Sequence, residues 1–157
     1  MSSVPARGDI DEAYKWDLES LYATDDDWEA AYEEAEERIE DLAAYEGRVA
    51  EDAETLLSVL ETYEDLMRVV ANVTAYARMR RDEDTTDDTY QALTARSQSL
   101  SSEASSAASF IEPELQELNR GDVESMMDEE PDLDAYSHYF DDVLRMKPHT
   151  RSAEVEN

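Results

Sequence analysis

The sequence has 157 residues, of which 42 are acidic and 13 basic, for a formal net charge of −29. A chain of this length has room for one domain with a single core, and the absence of cysteine excludes disulfides and thiolate chemistry. Basic residues are too few and scattered for nucleic-acid binding, and no apolar stretch could span a membrane or act as a signal peptide, so we expect a soluble, cytoplasmic protein.

The charge distribution bears on how the chain stays folded. Low aliphatic content with high net charge is typical of disordered chains, but the hydrophobic periodicity favours a folded one. Acids occur in every segment and lysines are rare, as in proteins of salt-loving organisms, where a Debye length of about 3 Å at 1 M salt weakens repulsion between carboxylates. The alternative, an acidic nucleic-acid mimic or histone-type chaperone, would more naturally gather its acids in blocks.

Residues 1–23 are predicted to form an N-terminal arm and anchor. Pro5 and Gly8 stand in the first 15 residues, which lack hydrophobic periodicity and are expected to be extended. The segment WDLESLY, residues 16–22, follows and supplies the side chains that we expect to dock on the core: Trp16, Leu18, Leu21 and Tyr22.

The first predicted helix spans about residues 25–46. Thr24 stands at the N-cap position, three aspartates fill the first turn where the helix dipole favours anions, and Gly47 stands where a C-terminal glycine is expected. Apolar spacings of three and four residues predict a buried face of Trp28, Ala31 or Tyr32, Ala35, Ile39, Leu42 and Tyr45.

The second predicted helix opens after Asp52 and carries the strongest periodic signal. This signal fades over residues 78–88, where Thr85 or Thr86 is expected to cap the next helix. So short a connection implies an antiparallel hairpin. The predicted buried face consists of Leu56, Leu60, Tyr63, Met67, Val70, Val73 and Tyr76.

The third predicted helix covers about residues 87–111. Its middle is rich in serine and alanine, which could be low complexity, but the spacing of Leu93, Leu100 and Ile111 favours a stripe of small residues that lets another backbone approach. The predicted face consists of Tyr90, Leu93, Ser97, Leu100, Ala104, Ala107 and Ile111.

Short helices are predicted for the remainder. Pro113 is expected to end or kink the third helix and to start a short helix, ELQELN, which Gly121 terminates. Two more helices are predicted over about 122–130 and 134–146, and no segment shows strand alternation. The predicted fold class is all-α, an antiparallel helical bundle with one long helical hairpin and several short helices.

No catalytic or metal-binding motif is found in the sequence. A zinc peptidase would carry His-Glu-x-x-His on a helix, and this motif is absent. His138 and His149 stand on either side of Pro148 and cannot share a helical face, so joint metal binding is not expected. Residues 82–88, DEDTTDD, lack the glycine that an EF-hand calcium loop requires.

The end of the chain gathers scarce cations. Thr150 or Ser152 suits an N-cap, and Glu154 and Glu156 suit a first helical turn. The sequence therefore looks cut at the start of a helix, and the alternative is a frayed, charged tail. The cations in question are Arg145, Lys147, Arg151 and the two histidines.

Five short motifs follow one another along the chain. They are Lys15-Trp16-Asp17-Leu18 with Leu21-Tyr22, Tyr45-x-Gly47, Tyr76 followed by Asp84-Thr85, Ser109-Phe110-Ile111-x-Pro113-Glu114-Leu115, and Arg145-x-Lys147-Pro148-His149-Thr150. In this order they resemble the N-terminal region of oligoendopeptidase F, a family of zinc metallopeptidases related to thimet oligopeptidase. The resemblance covers about residues 7–156, and Arg151 departs from it where leucine is expected.

The resemblance implies that this chain is one part of a longer peptidase. The zinc-binding His-Glu-x-x-His and a further glutamate ligand would lie in a missing C-terminal catalytic region, with no cofactor in this chain. Residues 24–148 would form a helical domain that walls a channel for short peptides, and 149–157 would begin the linker to the catalytic region. The residues expected to have structural or hinge roles are Trp16, Asp17, Leu18, Tyr22, Phe110, Pro113, Glu114, Arg145, Lys147, Pro148 and His149.

A second hypothesis is a free-standing acidic helical protein-interaction module with the same fold. Under the first hypothesis the partners are the catalytic region and short peptides, with neither nucleic acid nor membrane, and the oligomeric state is open. A reading frame that continues past Asn157 into His-Glu-x-x-His would exclude the second hypothesis.

Overall fold

The computed structural model describes residues 7–146, which form helices joined by short turns. No β-strand occurs within this range, so the predicted all-α class is confirmed, and none of its helices is both long and apolar enough to cross a membrane. The α-helices are α1 (Asp25–Ala43), α2 (Ala53–Glu83), α3 (Asp88–Ala107), α4 (Ile111–Leu115), α5 (Arg120–Glu129) and α6 (Ser137–Met146), with 3-10 helices at Arg7–Asp9, Glu12–Tyr14, Leu18–Ser20 and Pro131–Tyr136.

The chain forms two compact units. Among the described residues, the first unit contains 7–39 together with 65–105, and the second contains 40–64 together with 106–146. Each of the three long helices contributes residues to both units. The segment boundaries predicted after residues 23 and 148 stay a prediction.

The first unit is built on three helical segments. The Trp28 indole N–H donates to the Val73 carbonyl oxygen at 2.8 Å, and the Tyr76 hydroxyl donates to Asp25 at 2.8 Å, so α1 and α2 run antiparallel. The Thr94 hydroxyl lies 3.3 Å from the Ala77 carbonyl oxygen, as expected for the α2–α3 hairpin. The core of this unit contains Leu18, Trp28, Ala31, Tyr32, Ala35, Leu66, Val70, Val73, Tyr76, Ala77, Leu93, Leu100 and Ala104.

The second unit places the α1–α2 loop against α4. The Glu114 carboxylate accepts hydrogen bonds from the Gly47 N–H at 2.6 Å and from the Val49 N–H at 3.0 Å. Gly47 has a φ of 81°, which a residue with a side chain rarely adopts. The core of this unit contains Leu42, Val49, Ala53, Leu56, Val59, Leu60, Ile111, Leu115, Leu118, Val123, Leu133, Phe140 and Val143.

Several helix signals were interpreted correctly. Thr24 and Asp27 form a reciprocal cap, in which the Asp27 N–H donates to the Thr24 hydroxyl and the Thr24 N–H donates to the Asp27 carboxylate. Asp52 accepts from the Thr55 N–H at 2.7 Å and so caps α2 as predicted. Helix α1 ends at Ala43, earlier than predicted, and turns lead from there to Gly47.

Two predicted helix boundaries are wrong. The cap of α3 is Asp87, which accepts from the Thr89 N–H, whereas Thr86 is held in the preceding loop by the Asp84 carboxylate. Gly121 does not terminate a helix but lies in the first turn of α5, because Asn119 and Asp122 form a capping box there. A Cβ atom at Gly121 would come within 3.2 Å of the capping Asn119 Oδ1, a tight contact that the capping side chain would have to relieve by a small shift.

One predicted core contact is also wrong. Leu18 is buried at the start of its 3-10 turn, as predicted, and Leu21 and Tyr22 are partly buried. Trp16 instead keeps 50% of its surface exposed. The backbone is extended at Lys15, and Leu18 takes the buried position that we assigned to both residues.

Candidate functional site

A concave surface lies between the start of α5 and helix α6 in the second unit. This groove has a volume of about 620 Å³. We refer to it as the α5–α6 groove, and it is lined by Leu118, Asn119, Arg120, His138, Asp141, Asp142, Leu144 and Arg145. Asn119 is fixed there because its side chain caps α5, and the acidic and basic residues of α6 recur at helical spacing on one face.

The charged groups of the α5–α6 groove are paired with one another. Arg120 contacts Asp141 at 2.8 Å, and Arg145 contacts Asp142 at 2.7 Å. His138 Nε2 lies 3.6 Å from Asp142, and the histidine side chain is 90% exposed. The groove therefore offers polar groups for binding, but no nucleophile beside a general base.

Metal binding was tested on the chemistry of the donor groups. Zinc in proteins is held by three or four His, Cys, Asp or Glu side chains around one point. The residues between 7 and 146 contain no group of three such side chains placed to hold one ion. The described part of the chain therefore does not fit zinc.

The predicted N-terminal site residues lie in the first unit. Leu18 is in the core, and the Tyr22 ring packs edge-on against Tyr76 with centroids 5.5 Å apart. Burial raises the pKa of Tyr22, with a further contribution from the negative charge of Glu34. Asp17 accepts a hydrogen bond from the Ser20 hydroxyl through its backbone carbonyl oxygen. The Asp17 carboxylate makes no capping hydrogen bond to the 3-10 helix that follows.

The predicted residues around α4 lie in the second unit. Phe110 precedes α4 and accepts the Glu114 N–H through its carbonyl oxygen at 3.1 Å. Pro113 stands in the first turn, where its missing N–H leaves no helical bond unmade. Glu114 holds the α1–α2 loop through its carboxylate. Of these residues, Glu114 makes the longest-range contacts.

The predicted hinge residues are only partly covered by the structure. Arg145 lies in the last turn of α6 and lines the α5–α6 groove. Lys147, Pro148 and His149 lie outside the described residues. The structure does not bring the predicted site residues together at one place, since those described are divided between the two units.

The other groove residues and the long-range ion pair between Arg96 and Glu29 were not predicted from the sequence. His138, Asp141 and Asp142 could have been found from their helical spacing relative to Arg145, whereas Arg120 belongs to α5 and no such spacing indicates it. Arg96 contacts both carboxylate oxygens of Glu29, at 2.5 and 2.8 Å, and its guanidinium lies 4.5 Å from the Tyr32 ring centroid. No local pattern signals this pair, because its members are far apart in the chain.

The sequence of this chain is similar to those of known oligopeptidases. The family model for oligopeptidase F matches residues 114–157, a range that includes the whole α5–α6 groove. Group B oligopeptidase PepB of Streptococcus agalactiae is 37% identical over 150 residues, which cover 96% of this chain and 25% of that protein. Oligopeptidase PepF of Bacillus subtilis is 27% identical over 99% of this chain and 23% of its own length.

The fold agrees with these matches. The crystal structure of oligoendopeptidase-F from Enterococcus faecium superposes with a TM-score of 0.74 at 32% identity, over 84% of this chain and 25% of that one. This chain matches the N-terminal region of the oligoendopeptidase F family. It spans about a quarter of the length of the oligoendopeptidase F relatives that it matches.

Proposed function

We propose that this chain is the non-catalytic N-terminal helical region of an oligoendopeptidase F-type zinc peptidase that hydrolyses short peptides. The observation that carries the proposal is the match to Group B oligopeptidase PepB over 96% of this chain. Because the chain spans 25% of that protein, the remaining three quarters would hold the catalytic machinery. The zinc ligands and the general base belong to that portion.

The role of this region is structural. Its helices form part of the wall of a channel that admits short peptides and excludes folded proteins. The hinge to the catalytic region contains Arg145, which lines the α5–α6 groove, together with Lys147 and His149. The groove supports such a role because its paired charges suit polar binding and not bond cleavage. A cytoplasmic location agrees with the absence of cysteine.

The test compares this chain with the full-length protein on a quenched fluorescent peptide in high salt. We expect turnover by the full-length protein that a chelator abolishes, and none by this chain with or without added zinc. Zinc-dependent, chelator-sensitive turnover by the isolated chain would overturn the proposal. A gene that ends at Asn157 without His-Glu-x-x-His would overturn it as well.

A further inference from the structure

The N-terminal arm exposes two aromatic side chains that are two positions apart in the sequence. Tyr14 is 84% exposed and Trp16 is 50% exposed, whereas the other tryptophan, Trp28, is fully buried. Among the described residues, Met146 is the other large hydrophobic side chain with comparable exposure. Exposed aromatic side chains are enriched at sites where another protein segment is buried.

A small cavity adjoins Trp16, and one of the residues that line it carries an unsatisfied donor. The cavity has a volume of about 170 Å³ and is also lined by Arg80. The Arg80 guanidinium lies 5.2 Å from the Tyr76 ring centroid, and its Nη1 lies 3.5 Å from Glu83. Its Nε–H is buried and has no hydrogen-bond acceptor within residues 7–146. Buried donors without acceptors are rare in folded proteins, so either water or a group from outside those residues is expected to accept this N–H.

The lining of the cavity restricts the chemistry of that acceptor. Glu12, Asp17 and Glu19 line it together with Lys15, whose ammonium is already held by Glu12 at 2.5 Å. An incoming carboxylate would meet more negative than positive charge. A neutral oxygen, such as a backbone carbonyl, meets no such repulsion. Water could fill the cavity, but water would not account for the exposed aromatic rings.

We propose that Tyr14, Trp16 and the cavity beside Arg80, together the arm surface, form a docking site for the C-terminal region of the longer protein. A backbone carbonyl of that region accepts the Arg80 Nε–H while its neighbouring side chains cover the two aromatic rings. This inference rests on the proposed function. The relatives continue for three quarters of their length beyond the matched region, which provides the occupant. A second copy of this chain is the competing occupant, and dilution distinguishes it in the test below.

Hydroxyl-radical footprinting read by mass spectrometry tests the docking directly. Oxidation of Tyr14 and Trp16 is measured in this chain and in the full-length protein, in the same high-salt buffer, with buried Trp28 as the internal reference. We expect both residues to react rapidly in this chain and several-fold more slowly in the full-length protein, with Trp28 slow in both. Equal rates in the two proteins overturn the inference.

Protection already present in this chain would also overturn it. Protection that is lost on dilution would identify a second copy as the occupant. Protection that persists on dilution would identify other residues of this chain. Neither result is compatible with docking of the C-terminal region.

Variants separate the aromatic contact from the hydrogen bond. Tyr14→Ala should lower the unfolding midpoint of the full-length protein and leave that of this chain unchanged, while Tyr14→Phe should be neutral in both. Arg80→Lys keeps the charge but removes the Nε–H, and should increase the oxidation of Trp16 in the full-length protein several-fold. Circular dichroism of Arg80→Lys in this chain reports whether the fold is intact. If the fold is intact and Trp16 oxidation in the full-length protein is unchanged, the proposed hydrogen bond is rejected.

Failure of this inference can be told apart from failure of the proposed function. A full-length protein that cleaves peptides but leaves Tyr14 and Trp16 unprotected overturns the docking alone. A gene that ends at Asn157 overturns the docking and the proposed function together.

Discussion

Glu114→Ala should destabilise the chain through the α1–α2 loop. The Glu114 carboxylate accepts the N–H groups of Gly47 and Val49, and alanine would leave both donors without this partner. Hydrogen bonds to a charged group contribute about 1.5–3 kcal/mol each. The Gly47 N–H is exposed, however, and can donate to water when the carboxylate is removed, so its loss costs less. We therefore expect a total loss of about 1–3 kcal/mol, which lowers the melting temperature by roughly 2–10 °C in a chain of this size.

Thermal unfolding in high salt, followed by circular dichroism, measures this loss. Glu114→Gln retains one acceptor oxygen, so its melting temperature should lie between those of the wild type and Glu114→Ala. Glu117→Ala, at an exposed position in the same segment, serves as the matched control and should cost about 0.5 kcal/mol or less. A Glu114→Ala variant as stable as the Glu117→Ala control would refute the reasoning.

Three further predictions concern the core, the long-range ion pair and the charge. Leu60→Ala and Val73→Ala, at buried positions of α2, should each lower the free energy of unfolding in denaturant by about 1–5 kcal/mol. Exposed Glu61→Ala should lower it by about 0.5 kcal/mol or less. Equal losses would contradict the assigned buried face of α2. Arg96→Lys should lower the free energy of unfolding by about 0.5–2 kcal/mol, because lysine can neither hydrogen-bond both Glu29 oxygens in parallel nor stack as well on Tyr32. Arg68→Lys, at an exposed pair within α2, should be nearly neutral. The Arg96 hydrogen bonds lower the pKa of Glu29. The stability from this pair is therefore present above the ordinary glutamate pKa of 4.5 and is lost as the pH falls through the lowered pKa. The unfolding midpoints of the wild type and Arg96→Lys should converge as the pH falls through that lowered pKa. Helicity in far-ultraviolet circular dichroism should rise from dilute buffer to molar KCl, because salt screens the charge of −29, and a flat response would contradict the halophilic interpretation.

The helices could be predicted where local chemistry determines them. The caps at Thr24 and Asp52 depend on residues within three positions of one another, and the buried faces of α1 and α2 follow from apolar spacing. The α3 cap was misplaced because Thr85, Thr86 and Asp87 are all good capping residues, and the choice depends on the Asp84 turn before them. Local propensity cannot rank such neighbours.

The contacts between distant residues could not be predicted from the sequence. Glu114 was singled out through the family resemblance, but nothing local indicates that its carboxylate reaches the backbone at Gly47. The exposure of Trp16 was missed for the same reason, since burial depends on which side chains the fold brings to that position. The α5–α6 groove likewise arises from two segments separated by a 3-10 turn.

The Arg96–Glu29 pair has a consequence for folding kinetics. Many ion pairs of this chain join residues three or four positions apart in one helix, such as Glu34 with Arg38 and Asp142 with Arg145, and pairs of this kind can form in an isolated helix before any packing. Arg96 and Glu29 meet only when α1 and α3 have come together, across 67 positions of the chain. If this contact forms after the rate-limiting step of folding, its loss will speed unfolding and leave the folding rate nearly unchanged. Arg96 would then slow the unfolding of the first unit without affecting how fast it folds.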